Sequence, residues 1–70
     1  MDGEEKKYKV FAYLKAVEEN HACIVENYRA AATSAGLTPG QFRAGLYLLC
    51  GEGIILQEGS RILLLKERIC

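Results

Sequence analysis

Paired cysteine spacing is missing from this sequence: Cys23, Cys50 and Cys70 form an odd set with no C-x-x-C spacing. Such a set specifies neither a disulfide framework nor a zinc ribbon, and it reads as reduced thiols in a cytoplasmic protein. Joining His21 and Cys23 to Cys50 or Cys70 gives no common zinc spacing, whereas a cysteine in apolar surroundings packs as a small hydrophobe. No metal and no cofactor is therefore expected. Long apolar runs are also missing. No segment approaches the ~20 residues of a membrane span, and the opening MDGEEKK is charged where a signal peptide would carry its apolar run. Excess charge of one sign is absent, nine basic residues balancing nine acidic ones. This argues against a nonspecific nucleic-acid coat, whose affinity comes from neutralising phosphates, but leaves room for a reader with one positive face. Catalytic signatures are lacking too: there is no glycine-rich phosphate loop, no nucleophile motif and no pair of acids set by spacing. His21, the single histidine, reads as a loop residue rather than a general base, so an enzyme is not expected.

What is present is apolar. Half of the 70 residues are hydrophobic, which specifies one folded domain over 1–70. A chain this short is near the limit at which its own core suffices, so an oligomer interface would help it. The spacing predicts a first helix over 4–20, with Glu4 and Glu5 at the positive end of its dipole. Val10, Tyr13, Leu14 and Val17 form its core stripe, Phe11 falls at the edge, and Tyr8 lies farther round. The two aromatics suggest a patch for a second copy of the chain. Asn20 and His21 break the helix, and residues 21–24 form a connector able to add a brief edge strand. A second helix is expected over 25–35.

The stretch from Tyr28 to Cys50, YRAAATSAGLTPGQFRAGLYLLC, carries the densest local signals. An alanine-rich helix stops at Gly36, which can take the left-handed conformation that closes it, and Leu37 turns back into the core. Thr38 is an N-cap, Pro39 fills the first helical position and Gln41 completes a T-x-x-Q capping box, so a third helix runs over 39–50. Phe42, Leu46 and Leu49 share its buried stripe, leaving Gln41, Arg43, Ala44 and Tyr47 on other faces. Gly45 either permits close helix packing or weakens this helix. From Asn27 to Gly51 there are two basic residues, Arg29 and Arg43, and no acid. After Gly51 the period changes: Ile54-Ile55-Leu56, a glycine turn at 57–60 and Arg61–Lys66 predict a β-hairpin over 54–66. Alternation puts Ile62 and Leu64 on one side of its sheet, Leu63 and Leu65 on the other, so both sides are apolar.

Ala32, Gly36, Leu37, Phe42 and Leu46 match the helix-turn-helix of DNA-binding proteins, with Gly45 departing from the branched residue usual there. Followed by its hairpin, and read with "L-x-x-L…E-G-I-I…G-S-R-I-L-L-L" from Leu46 to Leu65, the chain resembles the winged helix-turn-helix of small bacterial regulators, including the C-terminal domains of the Crp/Fnr type. The resemblance implies an α+β fold of three helices with a C-terminal β-hairpin wing. It also implies sequence-specific binding of double-stranded DNA by a transcription or replication regulator acting as a homodimer. The helix from Pro39 would enter the major groove, Gln41 facing adenine and Arg43 guanine, with Ala44 on the same exposed side. Thr38, Gly40 and Tyr47 would hold phosphates, Arg29 the backbone, and Gln57, Ser60 and Arg61 the wing contacts. Tyr8, Phe11, Leu63, Leu65 and Ile69 would form the dimer interface. The competing expectation is a winged helix used for protein contacts without DNA. Neither a membrane nor a small-molecule ligand is expected as partner.

Overall fold

The computed structural model describes residues 3–67. Six elements follow one another: α1 Gly3–Val17, β1 Ala22–Ile24, α2 Tyr28–Ala35, α3 Pro39–Gly51, β2 Ile55–Glu58 and β3 Arg61–Leu64. The strands make one antiparallel sheet in the order β1-β3-β2. The architecture is α+β, three helices and a closing β-hairpin, and is compatible with the winged-helix arrangement. The connector at 21–24 does add an edge strand, pairing Cys23 with Ile62.

Between α2 and α3 the local chemistry governs the backbone as expected. Gly36 has φ 76°, and Leu37 N–H reaches back to the Ala32 carbonyl at 2.8 Å, satisfying a carbonyl that the helix end leaves orphaned. Two residues later Thr38 Oγ1 accepts from Gln41 N–H at 3.2 Å, while Gln41 Oε1 accepts from Thr38 N–H at 3.0 Å. Both arms of the capping box are closed. Ala32 of α2 is fully buried.

The two largest boundary differences from expectation fall at the end of α1 and the start of α2, and each has an identifiable cause. The first helix ends at Val17 instead of Asn20 because Asn20 and His21 take φ 54° and 64°, the consecutive left-handed pair of a type I′ turn. Glu19 and Ala22 close that turn with reciprocal backbone bonds of 2.8 and 3.1 Å, which requires Glu19 to be extended. The second helix begins at Tyr28 instead of Val25. Val25 N–H is bound to the Ser60 carbonyl at 2.8 Å, so its backbone belongs to the sheet side, and Asn27 caps the helix by accepting from Ala30 N–H at 3.1 Å.

The core is built from α1, α3 and the inner face of the sheet. Phe42, Leu14, Leu49, Ile55, Ile62 and Val10 are its largest fully buried side chains. On α1 Lys7, Val10, Phe11 and Leu14 are buried and Tyr13 packs half-buried against the core, so the expected stripe holds at Val10, Tyr13 and Leu14, is wider by Lys7 and Phe11, and loses Val17. Val17 is 46% exposed and Phe11 only 7%, so Phe11 is a core residue and does not belong to a dimer surface. Lys7 can join the stripe: its stem lies in the core while Nζ reaches Glu52 Oε2 at 2.8 Å, tying α1 to the end of α3. Gly45 is the contact point of the two helices. A Cβ there would stand 2.5 Å from Val10 Cγ2 and 3.0 Å from the Lys6 carbonyl oxygen, so close packing, not helix weakening, explains the glycine.

Cys23 shows how apolar surroundings use a thiol. It is buried at the sheet's inner face, and its Sγ donates to the Leu14 carbonyl at 3.2 Å, capping the last turn of α1. Burial first, and the nearby Glu18 carboxylate second, push its thiol up from the ordinary cysteine value. The folded chain therefore holds this proton more tightly than the unfolded chain. The associated stability is complete below the unfolded thiol's value and is lost as pH rises through the folded one. Iodoacetamide labelling followed by peptide mass analysis should modify Cys50 faster than Cys23 by about tenfold or more at neutral pH. Equal rates would contradict the buried donor role.

Candidate nucleic-acid interface

The candidate interface is the face of α3 turned away from the core, and the capped start of the helix sets its orientation. Thr38, Gly40, Arg43 and Tyr47 are exposed there, Tyr47 to 79%, while Gln41 and Ala44 are half-buried. Arg29, in the first turn of α2, is also exposed. Nothing lies within 4 Å of the position a Gly40 Cβ would take, so the fold tolerates a side chain there and gives no steric reason for glycine.

Arg43 is held in a particular way. Its guanidinium carbon sits 5.5 Å from the centroid of the Tyr28 ring, a cation–π arrangement that fixes the planar fork without neutralising it. Tyr28 is fixed in turn. Its ring meets Phe42 edge-on at 6.1 Å, and its hydroxyl is hydrogen-bonded to Gln57 Nε2. Gln57 also donates to the Gly59 carbonyl at 3.3 Å. Tyr28, Arg43 and Gln57, with Ala44, Leu46, Tyr47 and Cys50, line a shallow groove of about 430 Å³ among α2, α3 and β2. Tyr28 was legible as a helix residue but not as the support for Arg43; that pairing joins residues on two helices and a strand.

Two expected contacts acquire different roles. Gln57 is turned inward to Tyr28 and is not at the hairpin tip, because β2 and β3 are joined by the two-residue turn Gly59–Ser60 and strand alternation aims Gln57 at the helices. Gln41 has its carboxamide oxygen engaged by the cap, and a two-bond contact with adenine needs that oxygen as acceptor. Ser60 and Arg61 are exposed at the tip, with Arg61 directly across from Glu58 in the register.

The expected dimer residues are dispersed. Leu63 and Leu65 lie on the outer face of the sheet, Tyr8 is on α1 and exposed, and Phe11 is interior. Ile69, like Cys70, lies outside the described residues. Among the described residues no group of three His, Cys, Asp or Glu side chains is gathered as a metal site, and no helix is long and apolar enough to cross a membrane.

The geometry defines a small α+β domain whose third helix is buried on one side and exposes a mildly basic face on the other. The chain matches no known protein family, no curated protein and no solved structure.

Proposed function

We propose that this domain binds double-stranded DNA sequence-specifically, as a small cytoplasmic regulator of transcription or replication, with α3 as the winged-helix reading helix. The observation that carries the proposal is Arg43: an exposed guanidinium stacked on Tyr28, on a helix face that no carboxylate from Asn27 to Gly51 opposes. A pre-oriented fork suits the O6 and N7 acceptors of guanine, a contact offering about 1 to 3 kcal/mol of discrimination. Thr38 at the helix start and the Tyr47 hydroxyl supply phosphate contacts, and Arg29 extends them onto α2. Gln41 serves first as the cap and reads a base only if the Thr38 bond opens. No chemical step is assigned to the domain; its action is binding.

Selection of bound duplexes from a random library tests this reading. Enrichment of a motif is expected, and for two symmetric copies a palindromic one. Arg43→Ala should then relax selectivity at one base position, whereas Arg29→Ala should weaken all sequences alike and lower the salt slope by about one. Absence of enrichment, or equal and salt-insensitive binding by both variants, would refute it. A protein-contact role without DNA is the second reading, favoured by the zero net charge and by the exposed apolar row on the outer sheet face. Retention on a heparin column at moderate salt separates the two.

A further inference from the structure

The outer face of the sheet carries a pattern that specifies its own occupant. Across the sheet the outward side chains stand in two rows set by the register: Leu56 beside Leu63 and Ala22, then Glu58 beside Arg61 and Ile24. Their inward neighbours Ile55, Ile62 and Leu64 are buried and Gln57 is turned to Tyr28, so the outward side chains point away from the described helices. Leu56 is 47% exposed, and Leu65, continuing the same side, 55%. For so small a domain this is a costly surface to leave in water.

Sheets pack face to face with their strands nearly aligned, about 10 Å apart. A two-fold axis running along the strands, midway between β2 and β3, carries each strand over the other strand of the second copy. Because Glu58 and Arg61 are at one level of the register, that operation lays Glu58 over Arg61 of the second copy and Arg61 over Glu58 of the second copy. The same operation lays Leu56 over Leu63 of the second copy, and the reverse. Charge meets opposite charge and leucine meets leucine without any further adjustment. A strongly charged foreign partner finds no net charge in these rows. We infer that the outer sheet face is a two-fold self-association surface, with Leu56, Leu63 and Leu65 as its apolar contacts and Glu58 and Arg61 as reciprocal ion pairs between copies.

The inference gives the α3 reading a role for pairing, since one exposed arginine per helix reads few bases and two copies read two half-sites, but it does not require DNA. Of the residues expected at a dimer interface this surface keeps Leu63 and Leu65 and does not use Tyr8 or the buried Phe11.

Sedimentation equilibrium of the full chain, from micromolar to millimolar concentration and without DNA, tests it. The wild-type chain should shift to twice its monomer mass. Glu58→Arg alone and Arg61→Glu alone should each weaken association by about tenfold or more, because each places two like-charge pairs across the interface. Mixing the two variants should restore the dimer, since one copy then offers two arginines and the other two glutamates. Leu56→Ser, at an exposed position, should weaken association without loss of the folded circular dichroism spectrum. A monomer mass for wild type at every concentration overturns the inference and leaves the face to a different protein. A dimer that survives all three substitutions, or that mixing fails to restore, overturns it as well. The mass readout is independent of duplex selection, so failure of this inference and failure of the DNA reading are told apart.

Discussion

Gly45→Ala is expected to destabilise the fold by about 1–3 kcal/mol, although alanine is the better helix former by about 1 kcal/mol. Propensity and packing oppose each other here, and the distances decide the sign. The new methyl group would meet Val10 Cγ2 at 2.5 Å and the Lys6 carbonyl oxygen at 3.0 Å. Val10 is fully buried and the carbonyl is backbone, so neither neighbour moves aside cheaply. The helices α1 and α3 would have to separate, disturbing the Lys7–Glu52 pair at the far end of the same contact. Gly45→Val adds two more atoms and should cost still more. Urea unfolding followed by circular dichroism measures both. Combining Gly45→Ala with Val10→Ala supplies the control: the pair should be less destabilised than the sum of the single changes by about 1 kcal/mol or more, the mark of residues in contact. Stabilisation by Gly45→Ala alone would mean that the helices do not meet here.

Phe42→Ala should cost about 3–5 kcal/mol. That is a large part of the total for a domain of this size, at about 0.05–0.15 kcal/mol per residue. Phe42 is fully buried and receives two aromatic edges, Tyr13 at 5.8 Å and Tyr28 at 6.1 Å. Truncation leaves a cavity bounded by rings that cannot collapse far, and it removes the ring against which Tyr28 is set. Since Tyr28 carries Arg43, the DNA selectivity proposed for α3 should fall in Phe42→Ala molecules that remain folded. Phe42→Leu preserves most of the volume and should cost about 1 kcal/mol. An unfolding midpoint unchanged by Phe42→Ala would show that α3 is packed differently.

The sequence located the elements wherever a signal is local. A capping box, a turn glycine and a change of period at Gly51 each act within a few residues, so the end of α2, the whole of α3 and the hairpin were legible with nearly their observed bounds. Asn20 and His21 were legible as a break but not as a type I′ turn, because neither is the glycine that usually marks one. The face of α1 was legible at Val10, Tyr13 and Leu14, but its edges were not: Val17 is exposed, while Phe11 and Lys7 are buried. Placing those edges required knowing that Lys7 could bury its stem and still reach Glu52, a residue 45 positions away. The candidate interface divides the same way. Exposure of Arg43 and Tyr47 followed from periodicity, whereas the inward turn of Gln57 and the ring beneath Arg43 followed from how β2 meets α2.

By itself, then, the sequence determined the order of helices and strands, the α2–α3 turn and an apolar alternation that fills both faces of the hairpin. These depend on backbone preference and side-chain period, which neighbouring residues set. Tertiary structure alone decided where the edges of the buried stripe of α1 fall, why position 45 is glycine and what holds Arg43. It also fixed the register that sets Glu58 opposite Arg61 beside Leu56 and Leu63. Each of these is a distance between residues far apart in the chain, and such distances exist only once the helices and the sheet have closed on a common core.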